Sequence, residues 1–285
     1  MLIANPIYDV VFKKMMENER VAKFFISTLL EKNIETVEVK PQEFTYTSEL
    51  AGLAVFRLDF IATIKTDDGE YTKVLIEIQK AKNEIDLMRF RNYLAEQYKK
   101  EDIIDNEKVI LPNTTIYILG FKLPEIEVPC LKVERNYIDL VNNKVIDTKS
   151  AFVEKLTHNS FIVQVDRITN RYQTSLDKLL SIFEQKNFSD DRKITKEFNH
   201  NLDNEEIKLT TDILHFAGTN PQERKMLENE QEAWRSVNAM FESKNSKLLQ
   251  DLKANAKTIT EKDKELIEKD KLIDELQKKL NQKTD

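Results

Sequence analysis

Glycine occurs only four times in 285 residues, proline six times and histidine three times, while cysteine and tryptophan occur once each. So few glycines argue against a dinucleotide fold with its glycine-rich phosphate turn, and they leave little material for flexible linkers. A lone cysteine, Cys130, excludes an intrachain disulfide and a cysteine-rich zinc site. His158, His200 and His215 are scattered and lack metal-ligand spacing. No stretch approaches the ~20 apolar residues that span a bilayer. The opening MLIANPIYDVVFKK lacks the basic segment and apolar run of a secretory leader. A cytoplasmic protein without a membrane partner is expected. The formal charge of −6 argues against a coat-like nucleic-acid binder, whose affinity comes largely from neutralising phosphates. It leaves room for an enzyme that meets DNA through a local basic face. No nucleophilic triad is visible.

Charge is plentiful instead. Charged residues make up 33% of the chain, above the ~25% usual in soluble domains, so an exposed charged helix is expected. Residues 6 to 32 carry apolar residues at helical spacing. VFRLDFIATI (55 to 64) and YTKVLIEIQ (71 to 79) read as strands, and Asp67-Asp68-Gly69 between them signals a β-hairpin. Residues 84 to 100 read as a helix with an apolar stripe of Leu87, Phe90, Leu94 and Tyr98. Strands are expected at 114 to 121 and 160 to 165, with a second hairpin around Asn142-Asn143. From residue 174 onward the pattern is helical. Near the end, Leu252, Ile259, Leu266, Ile273 and Leu280 fall seven apart. The companion seam, Asn255, Lys262, Lys269 and Leu276, is poorer than a good coiled coil requires. The organisation expected is an α/β core over 1–170, a helical extension over 171–244, and a long charged helix with coiled-coil tendency over 245–285.

The hairpin is where chemistry concentrates. A three-residue loop at 67 to 69 sets a register in which Asp59 stands opposite Glu77. Glu77 and Gln79, two residues apart, share a strand face. Asp59, Glu77 and Gln79 then form one polar cluster in an otherwise apolar sheet. Facing carboxylates repel and are costly to desolvate. A divalent cation is one compensation: Mg²⁺ takes oxygen ligands and accepts one or two carboxylates from the protein. Asp59, Glu77 and the backbone carbonyl of Ile78 could supply such a site, with Mn²⁺ as substitute. An ion pair with Arg57 or Arg89 is the other compensation. Downstream, Arg89, Tyr93 and Gln97 lie at i, i+4 and i+8 and share a helix face.

RLDF, a short turn, IEIQ and a helix containing RFRNYLAEQY together resemble the PD-(D/E)XK nuclease superfamily. More narrowly they are similar to the group of recombination-promoting nucleases and PD-(D/E)XK family transposases. NPIYDVVFKKMM is similar to that group's opening segment, and E-x-Q stands where the wider superfamily has (D/E)-x-K. The resemblance spans roughly residues 5 to 165 and implies a restriction-endonuclease-like core, a mixed sheet flanked by helices. It also implies metal-dependent hydrolysis of DNA phosphodiesters. Asp59 and Glu77 would be metal ligands, and Gln79 would occupy the position of the superfamily lysine. Arg89 would bind phosphate, with Tyr93 and Gln97 lining the cleft and Lys82 reaching back from the strand end. Asp9 or Glu17 of the opening element would add a further carboxylate. Glutamine carries no charge, only a donor and an acceptor, which bears on rate more than on fold. The competing expectation is an idle nuclease-fold protein acting as an interaction module, self-associating as a homodimer or higher through its last helix.

Overall fold

The computed structural model describes residues 1–47, 54–80, 84–169 and 171–281, with side chains except at 41–47, 54–59, 84–86, 89 and scattered positions from 237 onward. Two compact units are formed, Met1–Gln231 and Glu232–Asp285. The first opens with β1 (Leu2–Ala4), α1 (Asp9–Met16) and α2 (Glu19–Leu30). The long strands β2 (Ile34–Thr47), β3 (Ala54–Thr66) and β4 (Tyr71–Gln79) follow, then α3 (Glu84–Lys99) and the small ribbon β5 (Asp102–Ile104) and β6 (Glu107–Val109). Next come β7 (Asn113–Leu119), β8 (Cys130–Val133), a second ribbon β9 (Tyr137–Asp139) and β10 (Lys144–Ile146), α4 (Ala151–Leu156) and β11 (His158–Gln164). The chain closes with α5 (Ser175–Phe183), β12 (Thr195–Glu197), α6 (Glu205–Thr219) and α7 (Pro221–Asn281).

The architecture is mixed α/β. Six strands form the central sheet in the order β2-β3-β4-β7-β11-β8. β4, β7 and β11 run parallel, and the outer strands join antiparallel. Among the described residues no helix is long and apolar enough to cross a membrane.

The helical reading of residues 6 to 32 resolves into two helices. The Asn18 side chain accepts a hydrogen bond from the Val21 N–H at 3.2 Å and starts α2. Such a cap satisfies one of the donors orphaned at a helix start. The apolar spacing continues across the break and hides it. Pro41 stands within β2. The strand lies at the sheet edge, where a missing N–H costs no ladder bond. The Asp67-Asp68-Gly69 turn closes as expected. Thr66 N–H donates to Glu70 O at 2.9 Å, and Gly69 takes φ +86°, which suits glycine.

The main core lies on one face of the sheet. Phe60, Ala62 and Ile64 of β3 and Val74, Ile76 and Ile78 of β4 pack under α1, α2 and α5. Phe12 sits edge-on to Phe25 at 5.5 Å and to Phe60 at 4.9 Å between ring centroids. Each such fully buried side chain contributes ~2–3 kcal/mol. The other face is covered by α3, whose Phe90 and Tyr93 pack on Leu75, Ile61 and Tyr117. Leu87, expected in this stripe, is instead 46% exposed.

Candidate functional site

Strand alternation sends Lys73, Leu75, Glu77 and Gln79 to the α3 face of β4 and the aliphatic residues to the other. The register of β3 with β4 runs from Lys65↔Tyr71 to Phe60↔Ile76. The next pair in the same count is Asp59 and Glu77, the relation expected from the three-residue loop. The ladder stops there. Among the described residues β3 then pairs with β2 and β4 with β7. Asp59 and Glu77 therefore stand immediately past a fork between two strands. The Asp59 side chain lies outside the described residues.

Glu77 is 1% exposed and Gln79 8%. Across the parallel ladder Glu77 faces Tyr117, and Gln79 faces Leu119. Burial pushes the Tyr117 phenol up to about 12, and the nearby Glu77 carboxylate adds to the shift. Phe90 closes on the Tyr117 ring at 4.8 Å between centroids. Tyr117 and Phe90 thus stand on the same side of the sheet as the buried Glu77 carboxylate.

Tyr93 and Gln97 are 4% and 3% exposed, so the helix face they share is the one turned to the sheet. The row leads away from Glu77. Tyr93 neighbours Phe90 over Leu75. One turn on, Tyr98 meets His158 Nδ1 at 2.8 Å, in the strand row of Lys73, Asn113 and His158 at the opposite end of β4. A rise of 1.5 Å per residue separates positions 89 and 97 by ~12 Å. Gln97 Nε2 is buried without a hydrogen bond among the described residues. The Arg89 side chain and all of Lys82 lie outside the described residues.

Of the two carboxylates considered in the opening element, Glu17 is exposed and Asp9 is buried at the start of α1. Asp9 Oδ1 lies 3.9 Å from Lys80 Nζ. Lys80 follows Gln79 and turns away from the α3 face. It pairs with Glu230 of α7 and lies over the Tyr8 ring at 4.8 Å. Glu230 carries no motif and stands 150 residues from Lys80, so sequence spacing gives no signal for it.

Among the described residues no three His, Cys, Asp or Glu gather as a metal site. The donors that fit a hard divalent cation are Glu77, the Ile78 carbonyl and, from its register position, Asp59. A groove of about 680 Å³ opens at the other end of β4, beside Tyr71, Thr72 and Asn113, and does not include Glu77. No protein-family model matches the chain, and no curated protein or solved structure matches it.

Proposed function

We propose that this protein is a metal-dependent DNA endonuclease with a PD-(D/E)XK-like core, hydrolysing phosphodiester bonds in a recombination or transposition setting. One observation carries the reading. Glu77 and Gln79 lie buried on one face of β4 at a strand fork, with Asp59 one position beyond the last β3–β4 pair, on the face covered by a helix that bears Arg89. The buried Glu77 carboxylate would seat a cation, with Mg²⁺ or Mn²⁺ held by Asp59, Glu77 and the Ile78 carbonyl. A divalent ion bound there would supply Lewis acidity toward a phosphoryl oxygen and lower the pKa of bound water. Gln79 would orient that water through its amide donor and acceptor, and Arg89 would hold the phosphate. The test is plasmid nicking with Mg²⁺ or Mn²⁺, comparing wild type with Asp59→Ala. Cleavage lost in the variant supports the reading. Wild type that cuts no form of DNA with either metal sinks it, and competition with RNA decides between the nucleic acids.

The second reading is an idle nuclease fold that self-associates. It is favoured by Leu252, Ile259, Leu266 and Ile273, which lie 56%, 60%, 57% and 51% exposed along α7. An apolar seam of that kind is a docking face for a second copy. Light scattering on the Ile259→Lys, Leu266→Lys double variant should give half the wild-type mass. An unchanged mass removes the seam as the means of association.

A further inference from the structure

The exit of β4, where Glu77, Ile78 and Gln79 sit, is held from two sides. Gly120, just past β7, donates its N–H to Gln79 O at 2.9 Å. A Cβ at Gly120 would stand 3.0 Å from Lys80 O and 3.1 Å from Lys80 Cα, so the two backbones are in direct contact. From the other side, the Lys80 side chain reaches Glu230. The Glu230 carboxylate also accepts the first two N–H groups of α1, from Asp9 at 2.9 Å and from Val10 at 3.0 Å. The side chains of Lys80, Asp9 and Glu230 are 9%, 9% and 13% exposed. A carboxylate at a helix N-terminus is favoured by the helix dipole, and its second task here is to neutralise a lysine taken out of water. One side chain from α7 thereby ties the start of α1 to the end of β4.

β4 carries a second buried lysine for comparison. Lys73, at the far end of the strand, pairs with Asp102 at 2.8 Å. That pair also neutralises a buried charge, and it lies at the end of β4 away from the fork.

We propose that Glu230 is a positioning residue for the candidate site. It acts through Lys80 to fix the strand end that presents Glu77, the Ile78 carbonyl and Gln79. The inference rests on the metal reading above and extends the site's supporting structure to α7, far along the chain. The contacts are buried and shared among three elements, whereas a purely stabilising ion pair needs only its two partners.

The experiment compares Glu230→Gln with Lys73→Met in the full chain. Glutamine keeps an acceptor for α1 and removes the nearer of the two carboxylates beside Lys80, leaving Asp9 at 3.9 Å. Three quantities are read: thermal unfolding, amide hydrogen exchange at residues 77 to 80 and 120, and Mn²⁺ binding by calorimetry. The two variants should lose similar thermal stability. Glu230→Gln should speed exchange at the β4 exit at least tenfold and weaken Mn²⁺ at least tenfold. Lys73→Met should leave both within twofold of wild type. Exchange at the exit unchanged in Glu230→Gln overturns the positioning role. So does Mn²⁺ affinity equal to wild type in that variant. Wild type that binds no Mn²⁺ overturns the metal reading itself and is told apart by that.

Discussion

On one face of β4, Val74, Ile76 and Ile78 meet Phe60, Phe12 and the helices α1, α2 and α5 without a polar atom from the strand. On the other face Leu75 shares its row with Lys73, Glu77 and Gln79, all under 9% exposed. The same nine residues thus line an aliphatic core and a polar layer beneath α3. The first face gains free energy from burial. The second gives some of it up, because desolvating a lysine, a carboxylate and an amide is costly even when each finds partners. The comparison separates an apolar layer that holds this protein together from a polar layer whose Glu77 and Gln79 end carries the proposed site.

The largest effect belongs to the aliphatic face. Phe12 is fully buried and touches both helix and sheet aromatics. Phe12→Ala should cost ~3–5 kcal/mol, in the range found for large-to-small core changes. Urea denaturation checks it, and any DNA cleavage should persist at temperatures where the variant is folded. A loss of less than ~1 kcal/mol would mean that this face is not the packed core.

Glu77→Gln tests the polar face with almost no change in volume. Cleavage should fall at least a thousandfold, ~4 kcal/mol of barrier. Urea denaturation reads stability beside the rate, so that lost cleavage is told apart from lost folding. A variant that unfolds readily but still cuts would reverse the assignment of the two faces. Gly120→Ala comes next in size. Its new methyl meets the Lys80 backbone at 3.0 Å, and backbone cannot move aside as a flexible side chain can. A destabilisation of ~1–3 kcal/mol is expected, together with slower cleavage, because the displaced segment is the one that follows Gln79.

Much of this contrast was legible in the chain, and the reason is local. Alternation put Glu77 and Gln79 on one side of β4, and a three-residue turn with glycine set the register with β3. Both signals act within ten residues. The spacing of Tyr93 and Gln97 correctly gave a shared helix face, but spacing carries no distance to a target. The helix rise takes Gln97 toward the Lys73 end. Leu87 fitted the apolar stripe yet remains exposed, since periodicity does not say where cover ends. Edge position, which accommodates Pro41 in β2, is a property of the assembled sheet and carries no local signal. Glu230 was invisible for the same reason: its two roles exist only once α7 is laid against α1 and the β4 exit.

A buried lysine outside the candidate site sharpens the comparison with the smallest effect. Lys196 of β12 is 2% exposed and donates to Ser181 O and Glu184 O at the end of α5. Burial pushes its pKa down from 10.5 to about 7, with Glu184 partly opposing. Below about 7 the lysine is protonated in both folded and unfolded chains, so it adds no pH slope. Between about 7 and 10.5 the unfolded chain holds a proton that the folded one lacks, so stability rises with pH. From pH 7 to 8 the gain should be about 1 kcal/mol, just under the limit of ~1.4 kcal/mol per pH unit for one proton. Urea denaturation of wild type against Lys196→Met isolates the slope, which should vanish in the variant. Cleavage should not follow this dependence, because among the described residues Lys196 bonds to the end of α5 and not to β4 or α3. A pH profile of activity that tracked the stability curve would place this lysine among the acting residues and blur the line between the two faces.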